Sequence, residues 1–440
     1  MSAGLSALGI ILTLAIIMFL IFRRWSILIV APLGAVVVAL FSESSVLGSL
    51  VGPYSQGLAN YAKLFFLIFL LGSVMGKLME DSGAAESIAL YLTRFLGNKG
   101  KLWAALSVAL IAAILTYGGV VVFVIVFAIA PIALPLFRKM DIPWQIFPGL
   151  MAFGGATFTM SMLPGSPAIQ NVIPTRYLGT NGMAGAGLGL IATFVVIVLN
   201  IWYYYRIVKK SEITGLGFAG LGEEVYQKEF GSNEKKLDYA DLPNFWISLL
   251  PLVMVVICFA GLKLDIVYSL SIGIILLILF FWKRYKNIIS SLSTGSSNSI
   301  LPLMNTCAIV GFGSVVAGTI GYKFLQDAIL SLPADPIITL AVATNILVGI
   351  TGSASGGLGI AMEVLAKPFM EAGLSPEVIH RISAIAAAGI DTLPHNGWVI
   401  STLVISRITH KDGYFHMFVS SVLIPLIALI VAVLAAVAIY

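Results

Sequence analysis

The chain has 440 residues, of which 59% are hydrophobic and only 10% charged, with a mean hydropathy of +1.02, whereas soluble domains carry about 25% charge. This composition excludes a soluble globular protein. The net charge of +5 calls for no nucleic-acid partner, because the basic residues fall mainly in loops between apolar runs. A bilayer core about 30 Å thick takes roughly 20 apolar residues per helix, and the chain carries around a dozen apolar runs. It reads as an all-α polytopic membrane protein whose constant partner is the lipid bilayer.

The first run, 4–22, lacks a basic leader and is followed by Arg23-Arg24, so it is expected to stay as a helix rather than be cleaved. Further full-length spans are predicted at 26–42, 58–78, 183–207, 244–262, 264–282, 300–321 and 414–439. Segments 103–137, 144–178, 336–370 and 380–407 are irregular. An N-terminal half, 1–207, and a C-terminal half, 244–440, flank a hydrophilic stretch at 208–243 with five lysines and seven acids, read as a cytoplasmic linker. Cys258 and Cys307 lie inside apolar runs and read as packing residues, with neither a disulfide nor a metal site and no cofactor implied.

Residues 103–115 make about 20 Å of helix, too short to cross, and stop at Thr116-Tyr117-Gly118-Gly119. The chain then returns through 120–137 to Arg138-Lys139. Residues 337–350 likewise stop at "TGSASGG" (351–357) and return through 358–370. Non-helical backbone at membrane depth is tolerated only where it is buried in protein or lines a wet cavity, so both segments read as re-entrant hairpins. With Arg23-Arg24 cytoplasmic, the positive-inside rule then divides the basic residues 19 inside to 6 outside, Arg381 among the latter. Both termini come out extracytoplasmic, in a plasma (inner) membrane.

Three landmarks recur at one spacing. "TYGG" at 116 and "TGSAS" at 351 form the tips, "DIPWQ" at 141 and "LSPEV" at 374 start the next helix, and "SMLPGSPA" at 161 and "DTLPHNGW" at 391 break it at Leu-Pro. The pattern predicts inverted repeats of five elements each, with 4–22 and 244–262 as extras. Inverted repeats with broken helices are the architecture of secondary transporters, with the site near the midplane.

A broken helix offers free N–H groups and partial positive charge at one end, suited to a carboxylate, and bare carbonyls at the other, suited to a cation. Ser166-Pro167 and Pro394 are expected to start the second half-helices. No Lys or Arg falls at mid-membrane depth in this map. An anion would therefore be held by Thr116, Gly118, Gly119, Ser161, Gly165, Ser166, Thr351, Gly352, Ser353, Ser355, Thr392, His395 and Asn396. The competing explanation is that small and hydroxylated residues serve only close helix packing. Asp391 is the sharpest single signal: a mid-membrane carboxylate costs at least about 2.5 kcal/mol. It is expected to bind the coupling ion, with Glu363 as the reserve acid and a structural helix cap as the alternative. His395 suits a hydrogen bond to substrate, whereas His380, His410 and His416 fall at helix ends or in loops and carry no signal. No His-Glu-x-x-His or Gly-x-Ser-x-Gly motif suggests an enzyme.

The same residues carry a resemblance. "GSASGG", "HRISAIAAAGIDTLPHNG", "THKDGY" and "LPGSPAIQN" resemble the gluconate permease family, within the ion-transporter superfamily of elevator-type carriers. The resemblance implies proton-coupled symport of small hydroxy-monocarboxylates such as gluconate, glycerate or hydroxybutyrate. It also implies a homodimer with a fixed scaffold and a moving transport domain that holds both hairpins. The later break reads "LPHNGW" where the family carries a longer Ser-His-Asn-Asp type of run, which points to a smaller acid. The rival reading is a sodium-coupled di- or tricarboxylate carrier; related folds hold sodium with Ser-Asn-Thr clusters, and no such triplet occurs here.

Overall fold

The structure, a computed structural model, describes residues 2–23, 25–120, 122–230, 242–330, 335–351, 353–394 and 396–440, and all regular structure among them is helical. In the first half α1 (Ala3–Phe22) and α2 (Ile27–Phe41) pack antiparallel, and Ser6 meets Ser42 at 2.9 Å. A short α3 (Val46–Ser49) and a π-helical turn, Leu50–Tyr54, lead into α4 (Ser55–Asp81). The amphipathic α5 (Ala84–Gly97) precedes a helical hairpin of α6 (Lys101–Tyr117) and α7 (Val122–Met140). Next come α8 (Phe147–Met151), continued by a π-helical stretch, Ala152–Met162, then α9 (Ile169–Leu178) and α10 (Ala186–Thr214). The linker contributes α11 (Leu221–Phe230).

The second half opens with α12 (Phe245–Val256), a π-helical turn at Ile257–Gly261, and α13 (Ile266–Phe281). It proceeds through α14 (Ile288–Ala317), α15 (Ile320–Leu330), and a second hairpin of α16 (Pro336–Thr351) and α17 (Ala354–Glu371). It ends with α18 (Pro376–Ala386), α19 (Gly397–Ile405), α20 (His410–Phe418), a π-helical turn at Val419–Leu423, and α21 (Ile424–Ile439). Among the described residues five helices are long and apolar enough to cross a membrane: Val46–Asp81, Ala186–Thr214, Ile266–Arg284, Ile288–Ala317 and His410–Ile439.

Two of the long helices reach well beyond the spans read in the sequence. Helix α14 begins at Ile288 rather than near 300, because its Ser- and Gly-rich first turns lie on α4. There Gly295 fits against the backbone of Val74, where a Cβ would come within 2.8 Å, and Ser291 donates to the Asp81 carboxylate at 2.6 Å. Helix α10 continues past 207 to Thr214, with Arg206 and Lys209 lying over the rings of Trp202 and Tyr205. Long cationic side chains of this kind extend a helix beyond its apolar core by keeping their charges in water.

Helices α4 and α14 form the central antiparallel pair: Gly57, early in α4, meets Val310 and Ser314, late in α14. Around them several contacts of one half have a counterpart in the other. Helix α2 packs on α14 as α13 does on α4, and α6 packs on the first π-helical stretch as α16 does on α18. Each half's leading helix also reaches across, α1 to α15 and α12 to α5. The two runs set aside as extras in the sequence, α1 and α12, are the ones that make these crossing contacts. The crossing contacts are specific: the Gly321 amide donates to Ser6 at 3.2 Å, Ser87 donates to the Pro243 carbonyl at 2.6 Å, and Tyr91 stacks on Phe245.

An apolar cavity of about 210 Å³ separates the second hairpin from α1, α2 and α14, lined by Ile17, Ala31, Phe312, Leu347 and Ile360 among others. On the cytoplasmic side of the sequence map, the linker is tied to the end of α7. Arg138 donates to both carboxylate oxygens of Glu223 at 2.9 Å, and Asp141 accepts from the Phe218 amide at 2.9 Å and from Lys101 at 3.2 Å. The Phe218 amide, helped by Lys101, holds the Asp141 carboxyl below the usual carboxylate range.

Candidate functional site

The first tip is built by glycine. Gly119 takes φ +96°, a conformation costly to any residue with a Cβ. It lets the Val120 amide fold back to the Leu115 carbonyl at 3.0 Å and end α6 cleanly. Gly154 allows the π-helical stretch to lie directly on the α6 backbone, since a Cβ there would fall on the Ala109 carbonyl oxygen. That approach brings Thr116 onto Thr159 at 2.9 Å and the Tyr117 hydroxyl onto the Pro164 carbonyl at 2.9 Å. The first tip and the first break therefore form one unit. Ser161 bonds back to the Thr157 carbonyl at 2.9 Å, and Gly165 turns the chain at φ +77°.

Helix α9 starts two residues later than Ser166-Pro167 suggests. Its first flanking residue is Ala168, and Ser166 accepts the Ala168 amide at 3.2 Å in the preceding turn. The loop is held instead by Asn171, whose amide donates to the Ser166 and Gly182 carbonyls at 2.7 and 3.0 Å. The Asn171 oxygen then faces Nε2 of His380 at 3.2 Å, which assigns that nitrogen as the donor. His380 Nδ1 meets Thr180 at 2.7 Å.

His380 and its neighbour Arg381 overturn the sequence map. Both are completely buried on α18, where loop or helix-end positions were expected. Arg381 donates to the carbonyls of Ala184, Gly182 and Met162 at 2.9, 3.1 and 3.3 Å, so a cation does reach the first break. Its aliphatic stem fills the space left by Gly185 and Gly189, where Cβ atoms would come within 2.5 and 3.1 Å of it.

The second break joins the second hairpin in the same way. The Asn345 amide of α16 donates to the Ala386 carbonyl at 2.8 Å, where α18 ends, and Gly349 abuts Ile390. Helix α19 starts at Gly397 rather than at Pro394. Asn396 caps it, accepting from the amides of Trp398 at 2.7 Å and Val399 at 3.1 Å, while its own amide donates to the Asp391 carbonyl at 3.0 Å. Thr392 donates to Ser421 Oγ at 2.7 Å and receives no cap role, and Tyr414 donates to the Thr392 carbonyl at 3.1 Å.

Asp391 is 6% exposed, and its Oδ1 has no hydrogen-bond partner among the described residues. Since Asn396 caps the following helix, Asp391 does not. Four other buried polar atoms on these segments are likewise without partners among the described residues: the hydroxyls of Thr344, Ser383 and Thr402 and the Trp398 indole nitrogen. In the second hairpin Ser353 caps α17, accepting the Gly356 amide at 3.2 Å, and approaches Ser355 at 3.4 Å. Thr351 ends α16, and Gly352 and His395 lie outside the described residues. Glu363 is exposed on α17 beside Tyr177 of α9.

Sequence reasoning passed over Thr159, Asn171, Asn345, His380 and Arg381. For the last two a signal existed: a His-Arg pair inside the apolar run 378–388, ten residues before Asp391.

A family model described as GntP family permease matches residues 5–269. The chain is 35% identical to an uncharacterized transporter, YxjC, of Bacillus subtilis, over 93% of this chain and 94% of that one. It is 28% identical to a gluconate permease of the same organism, over 57% of this chain and 52% of the relative. A solved structure, the YdaH transporter of Alcanivorax borkumensis, superposes with a TM-score of 0.56 at 14% identity, over 88% of this chain and 87% of the other. That likeness concerns the fold alone. The membrane-crossing helices, the paired tips and breaks, and the match across more than half its length make this chain a transporter of the gluconate permease (GntP) family.

Proposed function

We propose that this permease carries a small hydroxy-monocarboxylate of the gluconate, glycerate or hydroxybutyrate type together with a proton. The observation that carries the reading is Asp391, a buried carboxylate with an oxygen left without a partner among the described residues, beside a helix break. An uncompensated charge in a dry site is costly, and a bound proton removes the cost. A substrate anion arriving nearby favours the proton further, so the two bind cooperatively. Backbone amides, hydroxyls and unpartnered polar atoms around the breaks suit one carboxylate with hydroxyls. A tricarboxylate would be left under-neutralised.

The elevator reading is supported by the surface between α14 and the second hairpin. It is made largely of small and aliphatic residues, with Gly313 against Ile360 and Gly359 against Val310, and with the Tyr61 ring of α4 at its edge beside Gly359, and the apolar cavity lies along it. Polar bonds that would resist sliding are concentrated instead between each tip and its break. The antiparallel α4–α14 pair and the matching contacts of the two halves support inverted repeats with hairpins entering from opposite sides. In that scheme the linker and most of the basic residues lie in the cytoplasm, both termini outside, and the protein acts as a homodimer in the plasma membrane.

The test is uptake into proteoliposomes with a panel of carboxylates, with pH and sodium gradients imposed separately. Asp391→Asn imitates the protonated acid and is expected to keep substrate exchange while losing accumulation driven by a pH gradient. Unchanged pH-driven accumulation by that variant would remove Asp391 from coupling, and accumulation driven by sodium alone would replace the proton. Citrate outcompeting the monocarboxylates would overturn the substrate class.

A further inference from the structure

Arg381 is a buried cation that the function above does not use. It is completely buried and makes no ion pair among the described residues. Of the five N–H groups of a guanidinium, three are taken by the carbonyls of Ala184, Gly182 and Met162. Carbonyl dipoles compensate a full charge only in part, and buried charges in proteins are as a rule paired. The side chain is accommodated by Gly185 and Gly189 and reaches the loop of the first break. At the second break Asp391 is the mirror case, a buried anion with no ion pair among the described residues.

We propose that Arg381 is the fixed positive charge that holds the transported carboxylate, so that the site has an anion half at the first break and a cation half at the second. This rests on the carboxylate–proton reading and extends it to charge balance. Arg381 and Asp391 cancel when the site is empty. One carboxylate and one monovalent cation cancel when it is loaded. Both forms then move with no net charge, and transport is electroneutral with a one-to-one ratio. A second substrate carboxylate has no cation to meet.

The experiment measures binding of gluconate, glycerate and 3-hydroxybutyrate, and of their uncharged amides, to the purified full-length protein. Arg381→Met is expected to weaken the acids by about tenfold or more, the size of a lost charged hydrogen bond, and to leave the amides unchanged. Arg381→Lys, which keeps the charge, is expected to retain most of the acid affinity. Equal losses for acids and amides, or equal losses in Lys and Met, would make Arg381 a structural clamp and overturn the proposal. Should Arg381→Met fail to fold, wild-type proteoliposomes decide: uptake of the bound acid is expected to ignore a potassium diffusion potential. Uptake that follows the potential would refute the charge balance. Absence of acid binding by wild type would instead overturn the substrate reading beneath it.

Discussion

Gly389 offers a direct test of how the second break is held. A Cβ at this position falls on the amide nitrogen of Asn345, with the Ala386 carbonyl at 3.2 Å on its other side. In Gly389→Ala the Asn345 amide must rotate away and give up its 2.8 Å bond to Ala386. Asn345 is 8% exposed, so its displaced amide finds little water. A lost buried hydrogen bond with its donor stranded costs about 1–3 kcal/mol, and local overpacking adds about 1–3 kcal/mol. We expect a total of about 2–4 kcal/mol, taking partial relaxation into account.

Asn345→Ala alone removes the bond and makes room, at about 1–2 kcal/mol. The double variant should then be no less stable than Asn345→Ala, giving a coupling of about 2–4 kcal/mol between the two sites, the whole cost of Gly389→Ala. Cys258 and Cys307 are both buried and free, so a thiol-reactive dye can follow unfolding in detergent as denaturant is raised. Additive losses would show that the Cβ is accommodated elsewhere and that Asn345 is not what Gly389 makes room for.

Two further expectations concern other contacts. Gly154→Ala puts a Cβ on the Ala109 carbonyl and within 2.8 Å of the Ala109 Cα, where no rotamer change can help. It should cost more than about 3 kcal/mol and prevent recovery of monodisperse protein. Gly187→Ala meets nothing within 4 Å and should be neutral or stabilising by up to about 1 kcal/mol in the same preparation; equal behaviour of the two would refute the packing argument. Asp141→Asn should loosen the linker and speed limited proteolysis within 215–230. The Asp141 carboxyl is held below its unfolded value, so its contribution is complete at neutral pH and is lost as the pH falls below about 4. Proteolysis of wild type should rise over that range, and a flat profile would remove Asp141 from the tether.

The all-helical class, the two helical hairpins and the two Leu-Pro breaks were legible in the sequence because they depend on local chemistry: apolar length, glycine at the tips and proline after leucine. The number of full-length spans was not: eight were read, and five helices among the described residues are long and apolar enough to cross. Nor was the start of α14, because a Ser-Thr-Gly-Ser-Ser stretch (293–297) reads as loop until α4 is there to receive it. The breaks were located, yet their caps were misassigned. Ser166 and Pro394 carry local start signals, whereas Ala168 and Asn396 flank the helices. Arg381 was counted with the loop cations because charge is usually a mark of water. Its burial depends on Gly182, Gly185 and Gly189, some two hundred residues away, and no local pattern announces that pairing.

The crossing of α1 to α15 and of α12 to α5 has a consequence for synthesis. Neither half can be completed from its own segment of chain. At roughly 5–20 residues per second, α5 waits about 10–30 s for α12 to emerge, and α1 waits about 15–60 s for α15. During that interval the face of α5 that carries Tyr91 has no Phe245 to stack on, and Ser6 has no Gly321 amide to accept. Insertion in order is therefore not enough for this protein. Although α1 can pair with α2 and α5 with α6 and α7 in the meantime, the faces that receive α15 and α12 must stay uncovered in the lipid, without finding other partners, until those helices have been made.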